Sequence, residues 1–259
     1  SIGYMRLVIK VGTQVIYGKF ALNRMRLGQI IHEIAVLIKH GHEVVLVSSG
    51  AIGAGLPYVH FADPERVKKV AAAVGQPLLM HNYILAAKKS HIAVGQILIL
   101  GDDFANKKHF KNFVLNVETM LSHKILPIIN ENDVMKKEDL SIGDNDNFSA
   151  KIAVGLKADK LIILTNQNGF YTSNPDKDKN AKLIKKVAKV NSEIESLCTL
   201  DKSKFGRGGM PAKIKAAKYA TQRGVETFIG NGSKKGTILG ALSKNFSGTR
   251  FAAQKKKRK

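Results

Sequence analysis

Apolar and polar positions follow two rhythms along this chain, and the switches between them predict its elements. Arg6 to Gly12, "RLVIKVG", is a short apolar run closed by glycine; Leu27, Ile30, Ile31, Ile34, Leu37 and Ile38 then recur at the spacing of one helix face. "EVVLVSSG" predicts the second strand. Helical patterns follow at about 64 to 74 and 76 to 89, then a strand at "QILIL", a helix around 105 to 122 and a strand at "ILPIIN". Beyond a polar stretch come a helix following Asp146, the strand "DKLIILT", a helix after Gly209 and the strand "VETFIG". Strands that are apolar at nearly every position have to be covered on both faces. Their alternation with amphipathic helices therefore predicts an α/β fold with a largely parallel sheet between helices. No internal repeat and no linker divides the pattern, and 259 residues fit one domain built on one sheet.

Composition narrows the picture only a little. With 44% apolar residues the chain can bury a sizeable core, which excludes disorder. Its longest apolar runs, "ILIL" and "LIIL", are far short of the roughly 20 residues that cross a bilayer. No membrane partner is expected. Cys198 is the one cysteine, so no internal disulfide can form, and no leader pattern is read before the first strand; the expected location is cytoplasmic. The balance of 42 Lys+Arg against 20 Asp+Glu, a net +22, raises the question of a nucleic-acid partner. Two features argue against one: the lysines are scattered over nearly all segments, and only 7% of residues are aromatic, with no tryptophan for base stacking. A plain basic surface without a specific nucleic acid is expected, with Lys255 to Lys259, "KKKRK", as a solvated tail.

Ligands of parallel sheets gather at the carboxyl ends of the strands, and the unusual residues of this chain lie there. Lys10 closes the first strand ahead of Gly12 and Thr13; "SSGAIGAG" follows the second, "INEND" the strand "ILPII", and "TNQNG" the strand "LIIL". Each has a plain reading as well. Lys10 can be a strand-end lysine whose ammonium escapes to water, and the glycines of "SSGAIGAG" can be simple turn residues. "GRGGMPAK", Gly206 to Lys213, is either an ordinary loop with Pro211 near a helix start or a phosphate cradle with a lysine one turn into the helix. It is not the G-x-x-x-x-G-K-[ST] loop. His40 and His42 in "KHGHE" lack a carboxylate or cysteine at ligand spacing and are expected to be exposed at a helix end.

"SIGDNDNFSAKIA", residues 141 to 153, is the least ordinary stretch, with three short polar residues where one or two would cap a helix. Asp144 or Asn145 can supply the cap, which leaves Asp146 in the first turn, near the strand end that carries Lys10. A carboxylate there can orient lysine ammonium groups. Asp133 and Asn132 of "INEND" add groups suited to an α-ammonium, beside cations suited to phosphate. That combination fits phosphoryl transfer to a small zwitterion.

Over essentially its whole length the chain resembles the amino-acid kinase family, in particular its members that phosphorylate glutamate. The resemblance is carried by "VIKVGTQVI", "VSSGAIGAG", "AAVGQ", "VGQILI", "PIINENDV", "GDNDNFSA", "LTNQNGFYTSNP", "GRGGMPAKIKAA" and "SGTRFAAQ", with "INENDV" ahead of "GDNDN" the most specific pair. It implies a three-layer αβα sandwich that transfers a phosphoryl group from ATP to the side-chain carboxylate of L-glutamate, with Mg²⁺ carried by the nucleotide. The N-terminal part would hold the amino acid and the C-terminal part ATP. One catalytic domain over residues 1–254, a basic tail at 255–259, no C-terminal PUA domain and a homo-oligomer are the matching expectations. By position, Lys10 and Lys213 resemble the lysines that flank the transferring group, and Asp146 the acid that positions them. Ser49, Asp133 and Asn145 resemble the glutamate-binding set. Lys10, Thr165, Asn166, Arg207, Gly208, Gly209, Met210, Pro211, Ala212 and Lys213 resemble the ATP site. Two motifs depart from the family pattern: "TDxxG" is "TNQNG" here, so Asn166 stands for an acid, and "GTGGMxTK" is "GRGGMPAK", with Arg207 and Ala212 in place of hydroxyl residues. A related carboxylate or nucleotide kinase, and a kinase-derived binding protein with weakened catalysis, are the alternatives.

Overall fold

The computed structural model describes residues 3–18, 21–61, 63–136, 145–199, 209–244 and 246–254; the basic tail at 255–259 lies outside them. The first half runs β1 Arg6–Val11, α1 Thr13–Ile16, α2 Arg24–Lys39, β2 Glu43–Val47, α3 Ala51–Gly55, α4 Pro64–Lys89, β3 Ala93–Ile99, α5 Lys107–Ser122 and β4 Ile125–Glu131. The second runs α6 Asn145–Gly155, β5 Lys160–Thr165, β6 Lys186–Val187, α7 Ser192–Thr199, α8 Met210–Thr221, β7 Glu226–Asn231, α9 Thr237–Gly240 and β8 Thr249–Phe251. The eight strands make the expected, mostly parallel sheet. Only β7 and β8 pair antiparallel among the registers described. β1, β2, β4 and β5 are buried at nearly every position, as strands covered on both faces are. The chain divides into two compact units, residues 11–142 and residues 1–10 with 143–259.

In the unit of residues 11–142 the strands lie in the order β3-β4-β2, in parallel. α2 starts where the side chain of Asn23 accepts from Arg26 N, and it buries Leu27, Ile30, Ile31 and Ile34, the face its periodicity predicts. The two helices expected at 64 to 74 and 76 to 89 are a single helix, α4, with Pro77 inside it. Contact with α3 overrides the local breakers. A Cβ at Gly75 would meet Ala51 O at 1.8 Å and one at Gly55 would meet Ala71 O at 1.9 Å, so the two helices cross backbone to backbone. Neither main chain can yield as a side chain would. Gly75→Ala is therefore expected to cost about 3 kcal/mol or more, read as a lowered urea midpoint with an unchanged m value. By length and composition Arg66–Lys89 could cross a bilayer, but Ala71, Ala72, Leu79 and Tyr83 are buried within the protein, as in a core helix.

The expectation for the histidine pair is half corrected. His40 is exposed, with Nδ1 against Val36 O at 2.7 Å, whereas His42 is buried. Gly41 takes φ +89° and turns the chain back, so that His42 N donates to Leu37 O. Burial, together with His40, lowers the pKa of the His42 imidazole. Among the described residues no group of histidine, cysteine and carboxylate side chains could hold a metal.

In the other unit the strand order is β1-β5-β7-β8-β6. Arg6 anchors the start of β1: its N–H donates to Asp159 Oδ2 at 2.7 Å, its Nη1 to Leu156 O at 2.8 Å, and its carbonyl accepts from Asp159 N. α6 packs on β5 and α8, and α8 on β7, which sets the starts of α6 and α8 near each other. β6 and β8, of two and three residues, were not anticipated, nor was α7.

Candidate active site

Lys10, the fifth residue of β1, reaches Asp146 in the first turn of α6, with Nζ 2.6 Å from Oδ1. Lys213, in the first turn of α8, donates from Nζ to the other oxygen, Oδ2, at 3.0 Å. All three are buried, with exposures of 5%, 1% and 7%, so the ammonium of Lys10 stays in an ion pair instead of escaping to water. Burial alone would raise the Asp146 carboxyl, but the two ammonium groups outweigh it and hold it below the usual carboxylate range. Two cations share one carboxylate in a dry place, an excess of positive charge among these three side chains. Such an excess is costly unless an anion completes it. The N-terminus of α8 adds to the same demand: Gly209, its N-cap, offers no side-chain acceptor, and no acid lies in the first turn. Asn145 is the first residue of α6, beside Asp146. Asp144, the other expected cap, lies outside the described residues, as do Arg207 and Gly208.

At the end of β5, Thr165 is buried and its Oγ1 donates to Asn166 Oδ1 at 3.3 Å. Asn168 ties this loop down, accepting from Asn231 Nδ2 at 3.0 Å and donating to the Tyr171 hydroxyl at 3.3 Å. A cleft open to solvent lies against the loop and the start of α8. Met210 and Pro211, both anticipated, line it with Phe170, Tyr171 and Pro175. Leu197 and Cys198 of α7 complete the wall; sequence reading missed them because α7 carries no motif. Ala212 follows in the first turn of α8.

In the unit of residues 11–142, Ser49 donates from Oγ to Val11 O at 2.7 Å and accepts from Thr13 Oγ1 at 3.2 Å. Gly50 has φ +103°, and a Cβ there would lie 2.7 Å from the Tyr17 ring, so only glycine fits. The motif glutamines and "INEN" form one polar chain: Asn130 Nδ2 donates to Gln76 Oε1 at 2.8 Å, and Gln76 Nε2 to Gln96 Oε1 at 3.3 Å. Just past β4, Asn132 N donates to Ile99 O, Met135 N donates to Asn132 Oδ1, and Lys136 Nζ donates to Glu131 Oε2 at 2.7 Å. Asp133 lies inside this turn. Burial first, then the nearby Glu131, pushes its carboxyl up to about 6, against the downward pull of Lys136. Glu131 and Lys136 were not singled out in the sequence, where Lys136 is one of 42 basic residues.

A buried cationic cluster at a helix start, on an α/β framework, defines a protein built to handle an anionic group. The chain belongs to the amino acid kinase family, whose model matches residues 5–231. It is 42% identical over 255 residues to the glutamate 5-kinase of Clostridium acetobutylicum, covering 97% of this chain and 96% of that one. To the glutamate 5-kinase of Streptococcus sanguinis it is 39% identical, covering 97% of this chain and 69% of the relative. Among solved structures, the carbamate kinase of Giardia lamblia bound to AMP-PNP superposes with a TM-score of 0.69 at 17% identity, over 97% of this chain and 99% of that one, which is a likeness of fold.

Proposed function

We propose that this chain is an ATP-dependent kinase that phosphorylates the side-chain carboxylate of L-glutamate, giving glutamyl 5-phosphate for proline synthesis. The observation that carries the reading is the buried Lys10–Asp146–Lys213 cluster; the names of the relatives supply the substrate. The acceptor carboxylate is ionised at neutral pH, so no strong base is needed. One of its oxygens bonds to the γ-phosphorus of ATP while the bond from that phosphorus to the β,γ-bridging oxygen breaks, and ADP leaves. Such a reaction needs positioning and charge neutralisation above all. Lys10 and Lys213 neutralise charge on the transferring group, and Asp146, holding one ammonium on each oxygen, fixes their separation.

In this reading the unit of residues 11–142 recognises the amino acid through Ser49 and Asp133; Asn145, of the other unit, is a glutamate contact by its motif alone. Thr165, Asn166 and the start of α8, Gly209 to Lys213, serve the nucleotide, with Arg207 and Gly208 preceding them in the chain. Residues 1–254 act as one catalytic domain. Mg²⁺ enters as the counter-ion of the β- and γ-phosphates, part of the nucleotide substrate. The direct test is Mg-ATP-dependent ADP release with a panel of amino acids. L-glutamate should stand well above aspartate, glutamine and buffer; a protein that binds Mg-ATP but releases ADP with none of them would be the binding protein of the alternative reading.

A further inference from the structure

We infer that Lys136 is a positioning residue for substrate recognition: its buried pair with Glu131 offsets one of the two carboxylates of the turn Glu131–Lys136 and leaves Asp133 as the carboxylate of that turn outside the pair. A loop with that charge selects an amino acid with one free α-ammonium. The inference rests on the reading of Asp133 given above and adds how the site's charge is set.

The geometry is a closed turn. Glu131 ends β4, Asn132 caps the turn by accepting from Met135 N, and Lys136 comes back to Glu131 with Nζ 2.7 Å from Oε2, so the ion pair spans the loop around Asp133. Both partners are buried, at 8% and 6% exposure, although a lysine on a surface loop can usually extend into water. As a fastening alone, a buried ion pair is inefficient: the desolvation of both charges cancels most of their attraction, and apolar residues would do as well. Its effect on a neighbouring charge is another matter. Two carboxylates two residues apart in a partly buried turn disfavour each other's ionisation, and the weaker acid would keep its proton near neutral pH. Among the described residues, the charges acting on Asp133 are Glu131, which raises its carboxyl, and Lys136, which lowers it. The turn at Gly101–Phe104, joined to this segment through Ile99 O, contributes Asp103, which is engaged by Leu100 N and His109 Nδ1, and Asp102, which is exposed.

The test is the pH profile of kcat/KM for glutamate at saturating Mg-ATP. The wild type should lose efficiency as pH falls through about 6, where Asp133 takes up its proton. Lys136→Met should move this acid limb up by about one pH unit, raising KM for glutamate roughly tenfold at acid pH while the curves converge above pH 8. Glu131→Gln should move the limb down, the double variant should return near the wild type, and Lys136→Arg should keep the wild-type profile. A Lys136→Met enzyme impaired by one factor at every pH, or a limb that none of these changes moves, overturns the inference. Should Lys136→Met fail to fold, the downward move in Glu131→Gln still has to appear. Asp133→Asn separates the two levels. If it keeps both the limb and normal use of glutamate, the assignment of Asp133 falls; if it removes either while Lys136→Met and Glu131→Gln leave the limb in place, only the role of Lys136 falls.

Discussion

Asp146→Asn is expected to lower kcat by about 10²–10³-fold, equivalent to about 3–4 kcal/mol, with a smaller change in KM for glutamate. The substitution keeps the size and the place in the first turn of α6 but removes the charge that pairs with both ammonium groups. Lys10 and Lys213 are then like charges in a buried place, and their spacing is no longer set. Lys10→Met and Lys213→Met should each cost a similar factor, because each removes one donor to charge that develops in the transition state. The double change Lys10→Met with Asp146→Asn should cost less than the sum of the singles, since residues acting as a unit are not additive. Steady-state kinetics of the four variants checks this; normal kcat in Asp146→Asn would leave Asp146 as a mere helix-start residue. Asp146 also has a signature in stability. Its folded pKa is depressed, so its contribution is present above the unfolded value of about 3.9 and is lost as pH falls through the folded one. The acid limb expected near pH 6 is therefore assigned to another group, Asp133, whose carboxyl is raised to that range.

N-acetyl-L-glutamate should be a poor substrate, with kcat/KM lower than that of glutamate by roughly 10- to 100-fold. Acetylation removes the cation that Asp133 is assigned to pair. A partly buried carboxylate left without its partner costs about 1–3 kcal/mol. Asp133→Asn should narrow the gap between the two substrates, chiefly by losing activity on glutamate. Competition kinetics with both compounds measures the ratio directly; comparable turnover of the two by the wild type would remove Asp133 from the ammonium site.

What could be read from residues alone depended on how local the cause was. β1, β2, β4 and β5 were legible because strands buried on both faces are continuous apolar runs, and α2 because Leu27, Ile30, Ile31, Ile34, Leu37 and Ile38 share one face. α4 was misread as two helices since Gly75 and Pro77 are helix breakers in isolation; the close approach of α3 that employs Gly75 is a tertiary fact. β6 and β8 are too short to show any period and exist through their pairing. The same division runs through the site. Lys10, Asp146 and Lys213 stand in motifs that mark strand and helix ends, and they were picked out. The burial of Lys10, which removes the snorkelling alternative, needed α6 and α8 brought together. Lys136 looked like any other basic residue because only the turn at Asn132 returns it to Glu131.

Trapping the product with hydroxylamine tests the central claim most directly. Incubated with Mg-ATP, L-glutamate and neutral hydroxylamine, the protein should form γ-glutamyl hydroxamate in step with ADP, and Lys10→Met should suppress both together. ADP without hydroxamate, or hydroxamate formed from another carboxylate in preference to glutamate, would contradict the assignment of this chain as the kinase of the glutamate side chain.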